Sequence, residues 1–321
     1  MGDSLMKMWK LLLVAVGGAG LTTPALAAEI APIVMAPAII AAPAPAPTSL
    51  AGYVELFGGL NFGREIELDD CDPDGVCDLL RGFNFGGAAS VAWAVRPHVS
   101  LQLETWLRQW DNWSAFCDDC GIVEVMRQMG AATHLTFNGS GGLQAGTFAS
   151  IGAVSPDDDP SVLVTFGGEF AFNAARFRFV QQGGYVIGLT GEAGPDGDRG
   201  RDIYSRTVAT FYARPNLALS ANFGIDHYRE ACETCDYHEL GLTWGGRLEF
   251  QPAGRPFSIF TAYQGTRWVD LTEDGRYQTD HFFSAGISFN FGATDLQSRD
   301  AAVGFQDYNP MYGRTPFLDH L

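Results

Sequence analysis

The sequence predicts an all-β fold, a transmembrane antiparallel up-and-down β-barrel of about twelve strands, and three observations carry that prediction. Apolar and small-polar residues alternate with a period of two. In 217–226, Leu217, Leu219, Ala221, Phe223 and Ile225 share one face, and Ala218, Ser220, Asn222, Gly224 and Asp226 share the other. Stretches of this kind recur with no helical segment between them, as expected for a wall with lipid outside and a polar lumen inside. Short and long connections then alternate strictly, which places tight turns at the periplasmic end and longer loops outside.

Taken in order, the chain opens with Lys7 and Lys10, the apolar run Leu11–Leu21 and the small-residue site Pro24-Ala25-Leu26-Ala27, which reads as a cleaved signal peptide over residues 1–27. Residues 28–50 are rich in Pro and Ala, cannot build a core, and read as an extended periplasmic leader. The barrel occupies 51–291. Strand one, Gly52–Phe62, turns Val54, Leu56 and Leu60 outward and Glu55 and Asn61 inward. Strands two and three, Phe83–Val95 and Val99–Trp110, flank the turn Arg96–His98; in the third, Leu101, Leu103 and Leu107 oppose Gln102, Glu104 and Arg108. Strand four, about Val125–Asn138, turns through Gly139–Gly142 into strand five, Leu143–Val154. Strand six, Ser161–Phe172, carries Val162, Val164, Phe166 and Phe170 on one face and reaches strand seven through Asn173–Ala175. Strand seven, Arg176–Thr190, breaks phase around Gln181–Gly184. Strands eight and nine, Ile203–Ala213 and Leu217–Glu230, flank Arg214-Pro215-Asn216, where Pro sets the turn. Strand ten, His238–Gln251, turns at Pro252–Pro256 into strand eleven, Phe257–Trp268, and His281–Phe291 closes the set. Trp93, Trp106, Trp110, Trp244 and Trp268 lie near strand ends and are expected in an aromatic girdle. A soluble β-sandwich competes with this reading, but the outer faces of such a fold carry more charge than these strands do. Residues 292–321 follow the last strand as a tail that either hangs in the periplasm or fills the lumen.

Loss of the signal peptide removes Asp3 and both lysines, leaving eighteen arginines against 36 carboxylates, a balance of −18. That charge excludes nucleic acid and bare anionic membrane surfaces as partners. Of the 36 carboxylates, 25 fall in the longer connections 64–81, 111–124, 155–160, 191–202, 230–236 and 269–280. Such a rim concentrates cations at the mouth; the alternative is a solvated surface that bridges divalent ions to lipopolysaccharide phosphates.

The leader, the opening strand GYVELFGG (52–59) and the aromatic-ended closing strand FFSAGISFNF (282–291) resemble those of the porin-like, single-chain outer-membrane β-barrel proteins of Gram-negative bacteria. The resemblance implies Sec export, residence in outer-membrane lipid beside lipopolysaccharide, and insertion by the barrel-assembly machinery that reads the closing strand. It also implies passive diffusion of small solutes, to which the acidic loops add a mild cation preference, and leaves homo-oligomerisation open. One departure stands out, because members of that group usually end at the phenylalanine of the last strand. The alternative function is a closed structural or adhesive surface protein.

Eleven charged residues point inward on this register and are the candidate pore lining: Glu55, Glu104, Arg108, His134, Glu169, Arg178, Arg206, Asp226, Glu239, Arg247 and Glu249. Inward Gly, Ala and Ser leave room between them for a narrow passage. The six cysteines form three local pairs, Cys71 with Cys77, Cys117 with Cys120, and Cys232 with Cys235, which fit loop-bracing disulfides in an exported chain. Redox and four-thiolate zinc roles are the weaker readings. Asp70, Asp72, Asp74 and Asp78, with Gly75 at the bend, have the oxygen spacing of a calcium loop, but Arg81 stands where a bidentate Glu belongs. No cofactor is expected unless this loop binds calcium. No enzymatic role is expected. The nearest approaches to catalytic pairs, His134 with Thr136, Asp226-His227 and Asp236-Tyr237-His238, lack a nucleophile or a wider motif.

Overall fold

A computed structural model of the chain describes residues 50–66, 79–114, 122–156, 161–190, 201–231, 236–271 and 277–305. Twelve antiparallel strands form one closed barrel in which every strand pairs with its sequence neighbours. They are β1 (Ala51–Ile66), β2 (Leu79–Arg96), β3 (Val99–Ser114), β4 (Ile122–Asn138), β5 (Leu143–Pro156) and β6 (Ser161–Asn173). The second half comprises β7 (Phe177–Thr190), β8 (Arg201–Arg214), β9 (Leu217–Ala231), β10 (Asp236–Phe250), β11 (Phe257–Asp270) and β12 (Tyr277–Phe291). β1 seals against β12 from Gly52↔Phe291 to Ile66↔Tyr277, so no strand edge is left open. Closure is what lipid demands, since an unpaired backbone N–H or C=O in hydrocarbon finds no water to bond.

The two faces divide as the period-two pattern requires. Leu56, Leu107, Ile151, Ile203, Leu219 and Ile287 are each more than half exposed on the outer wall, where an apolar band meets acyl chains. The inner faces are polar and buried. The strands, at 13 to 18 residues, are longer than expected. At about 3.3 Å per residue and a tilt of about 40°, they rise roughly 33–45 Å, beyond an apolar band about 25 Å tall. The excess lies mostly at the ends away from the short turns. Eight carboxylates assigned to the longer connections therefore sit in strands: Glu65, Asp111, Glu124, Asp202, Glu230, Asp236, Asp270 and Asp280.

Two expectations are corrected. β7 keeps phase through Gln181–Gly184, with Arg178, Val180, Gln182 and Val186 all buried inward and a register shift against β6 only near its end, at Gly188–Thr190. The apparent slip comes from Gln181, a polar residue on the outer face. Its amide donates to Ser205 Oγ at 2.9 Å and its carbonyl accepts from Thr207, so it meets lipid with its polar groups bonded across the strand pair. Trp106, Trp110 and Trp268 do not join a girdle but point into the barrel. Trp106 covers Gly130 and Trp268 covers Gly241, where an added Cβ would fall 2.4 Å from the indole. The inward glycines at these two places thus make room for aromatic side chains rather than for a passage.

A Leu56→Arg substitution places a cation among Leu56, Ile287 and their lipid-facing neighbours. It is expected to cost about 2–4 kcal/mol, as arginine does near a bilayer midplane. Urea titration of barrel refolded into phospholipid vesicles measures it; a loss under about 0.5 kcal/mol would mean that this face does not meet lipid.

Candidate functional site: a charged lumen closed by a C-terminal helix

After β12 the chain turns at Gly292, whose φ of 71° favours glycine, and forms the short helix α1 (Leu296–Val303). A capping box starts it: Asp295 accepts from Ser298 N–H, and the Ser298 hydroxyl accepts from Asp295 N–H. The helix packs inside the short-turn end of the barrel. Gln297 N–H donates to the Pro215 carbonyl at 3.1 Å and its side chain to Ala175 at 2.8 Å. Leu296 and Val303 are buried, and Phe305 beyond them is fully enclosed. Across the lumen, Gln102 accepts Phe305 N–H and donates to the Phe305 carbonyl, closing the tail onto β3.

α1 completes a continuous ionic network on the β10–β12–β1 wall. Arg247 grips both oxygens of Glu55, at 2.7 and 3.2 Å, and its Nε donates to Glu249 at 3.1 Å. Arg299, from the helix, makes the same two-pronged contact with Glu249, at 2.7 and 3.2 Å. Asn290 and Ser258 complete the shell, the first accepting from Arg299 and the second donating to Glu249. Asp300 accepts from Arg299 Nε at 2.9 Å and from the Tyr212 hydroxyl at 2.6 Å. Burial alone would lower the Arg299 pKa, but Asp300 and Glu249 outweigh it and hold the guanidinium well above its ordinary value. Both partners of each pair are largely desolvated, so the network disfavours loss of any one member more than it adds net stability.

A second cluster lies on the β3–β6 wall. His134 sits between two carboxylates: Nδ1 is 3.0 Å from both oxygens of Glu169, and Nε2 is 3.4 Å from Glu104. Phe148 stacks on its ring, and Gln182 donates to Glu169. The remaining lumenal charges are dispersed. Arg206 stands 3.9 Å from Asp226; Arg108 lies over the Phe282 ring at 4.2 Å; Arg178 donates to Asn173 at 2.7 Å. Glu239 is buried where β10 pairs with Tyr228 and Asp270.

α1 divides the described lumen in two. Above it, towards the longer connections, is a cavity of about 180 Å³ that Arg299 and Asp300 help to line. Below it, at the short turns, is one of about 520 Å³ lined by Gln297, Ser298, Ala301, Ala302 and Tyr212 among others. The Tyr212–Asp300 hydrogen bond spans the partition.

A solved structure of an outer-membrane channel from Pseudomonas putida F1 has the same architecture, with a TM-score of 0.53 over 80% of this chain and 99% of that one, at 10% identity. The fold is that of a Gram-negative outer-membrane β-barrel. The translocator domain of the autotransporter NalP from Neisseria meningitidis aligns over 90% of this barrel protein and 96% of its own chain, at TM-score 0.46 and 9% identity. The channel DcaP of Acinetobacter baumannii aligns over 75% and 96%, at TM-score 0.37 and 10% identity. No family model and no curated protein sequence matches the chain.

All eleven lumenal charges named from the sequence project inward. The structure joins Glu104, His134 and Glu169 in one cluster, and Glu55, Arg247 and Glu249 in another. Asp226 and His227 point to opposite faces, and His227 instead lies 5.6 Å from His238 on the outer wall. The calcium-type loop with Asp70, Asp72, Asp74 and Asp78 lies outside the described residues. So do all six cysteines: Cys71 and Cys77 fall between β1 and β2, Cys117 and Cys120 between β3 and β4, and Cys232 and Cys235 between β9 and β10. The three disulfides expected from their spacing therefore have no counterpart among the described residues, and neither has the calcium site. Arg299 and Asp300 escape the sequence reading because it leaves the tail between periplasm and lumen, and Tyr212, on β8, is singled out only by its contact with Asp300. The signal for the tail is Asp295-Leu-Gln-Ser298, a capping pattern opening a short run with apolar Leu296, Val303 and Phe305.

Arg299→Ala removes two charge-assisted contacts on Glu249 and is expected to weaken tail docking by about 1.5–3 kcal/mol. Limited proteolysis of the refolded barrel checks this. Cleavage within 292–305 should quicken by about ten- to hundredfold, since it tracks the undocked population; an unchanged rate would show that the ionic contacts do not hold the tail.

Proposed function

We propose that the protein is a narrow outer-membrane channel for passive diffusion of small solutes, closed at its periplasmic end by its own C-terminal helix. The observation that carries this reading is an inner wall whose polar groups require water. The Asn84 amide, Glu104 Oε1, Thr165 and Thr266 hydroxyls, Gln182 Oε1 and Arg178 Nη2 are buried with no hydrogen-bond partner among the described residues. A dry polar core would forfeit about 1–3 kcal/mol at each such group, whereas a hydrated passage satisfies them. The tail is held at its polar face by exchangeable contacts, so water and solute can compete for them. The acidic outer residues then favour cations at the mouth.

Single-channel recording of refolded protein in planar bilayers tests both parts. The full chain should give small or rare ohmic steps, and deletion of 292–321 should raise the step size several-fold. The deleted form should show a reversal potential mildly favouring potassium over chloride in a KCl gradient. Absence of steps from the folded, deleted barrel would assign the protein a closed structural role instead, and a chloride-favouring potential would remove the cation preference.

A further inference from the structure

The upper cavity is lined by five arginines, at 108, 178, 206, 247 and 299, against three carboxylates, Glu55, Glu249 and Asp300. Each of these carboxylates is engaged by Arg247 or Arg299. The lining, counted together with Asp226 at 3.9 Å from Arg206, carries one more positive than negative charge. Arg178 is the telling member. It is 4% exposed, and its hydrogen-bond partners are neutral amides: Nη1 donates to Asn173 at 2.7 Å and Gln144 at 3.5 Å, while Nη2 is buried with no partner among the described residues. A guanidinium so enclosed is costly unless an anion completes its shell, and its planar fork matches the oxygens of a carboxylate or phosphate. Thr210, opposite Arg178 in the β7–β8 pairing, and Ser220, 2.9 Å from Thr210, add hydroxyl donors to the same wall.

We infer that this cavity binds one compact oxyanion, the carboxylate or phosphate group of a small solute, with Arg178 as its main contact. Size sets the class. About 180 Å³ falls below the roughly 300–1,000 Å³ of ordinary ligand pockets, which favours an acetate- or phosphate-sized group over a nucleotide. The inference rests on the channel reading for how the anion arrives. The acidic mouth does not bar a singly charged solute, because exposed charges are screened beyond about 8 Å at physiological ionic strength. α1 supplies Arg299 and Asp300 to the cavity, so the site is complete only with the tail docked.

Calorimetric titration of the full chain, refolded in a phosphate-free detergent, tests the site with sodium acetate and sodium phosphate, with sodium chloride at matched ionic strength as the control. Saturable one-to-one binding of either oxyanion over chloride is expected, the stronger of the two naming the group recognised. Arg178→Gln should weaken it at least about tenfold. Thr210→Asp, which supplies Arg178 with an internal carboxylate and keeps the far-UV strand signature, should abolish it. No saturable heat from either oxyanion, or affinity unchanged in both variants, would overturn the proposal. Binding is read here without a bilayer, so a non-conducting barrel that still binds acetate or phosphate would overturn the channel reading alone.

Discussion

Lipid provides no hydrogen-bond partner for a backbone, and the rest of this architecture follows from that constraint. Twelve strands satisfy one another only if the first meets the last, and Gly52–Ile66 does meet Tyr277–Phe291 along its length. Closure creates an inside, and with it a second problem. A wall that alternates apolar and polar residues to suit lipid must aim every second side chain into a confined lumen, where desolvated charge is expensive. The two ionic clusters answer that problem by pairing, Glu104–His134–Glu169 on one wall and Glu55–Arg247–Glu249 on the other. The second remains incomplete until α1 brings Arg299 to Glu249.

The tail is thus part of the lumen's electrostatics as well as a physical stopper. Removing one member of a buried ion pair strands its partner, at greater cost than the pair's net contribution to stability. Such a network specifies one docked position for α1 more than it tightens the fold. Apolar side chains flank that register: Leu296, Val303 and Phe305 are enclosed on either side of Arg299–Asp300. Tyr212, which reaches Asp300 at 2.6 Å, ties the same point to β8, two strands beyond β10.

The wall was legible in the sequence because its signal is local. A period of two assigns each residue its face from its neighbours alone, and the inward direction of Arg178 or Glu249 needed no knowledge of other strands. The outcomes that depend on distance in space were not legible. Gln181 reads as a break in phase until Thr207 and Ser205 are seen beside it on the adjacent strand. Trp106 and Trp268 read as girdle residues until their cross-strand partners are seen to be Gly130 and Gly241, which leave space for an indole inside. Strand ends read short because acidic residues signal loops. Above the membrane, however, a strand can bear charge on its inner face, as Asp202 and Asp280 do. Arg299 lies beyond the last strand, where no periodicity reaches.

On the proposed channel reading, these cross-strand facts bear on how a lumen so filled would conduct. Aromatic side chains such as Trp110 and Phe282, 6.0 Å apart, narrow the upper lumen, and α1 closes the lower end. The aromatic constriction is built on strands tied into a closed hydrogen-bonded wall. α1 is joined to the wall by one covalent link, the glycine turn at Gly292, and otherwise by non-covalent contacts. On that reading the helix is the element that would move, since moving a strand breaks its ladder, whereas undocking α1 exposes Leu296, Val303 and Phe305 and exchanges ion pairs for water. If the upper cavity binds an anion as proposed, its site is complete only with Arg299 and Asp300 in place, so the bound anion would favour the docked helix. On that proposal, solute recognition and closure would draw on the same guanidinium, Arg299.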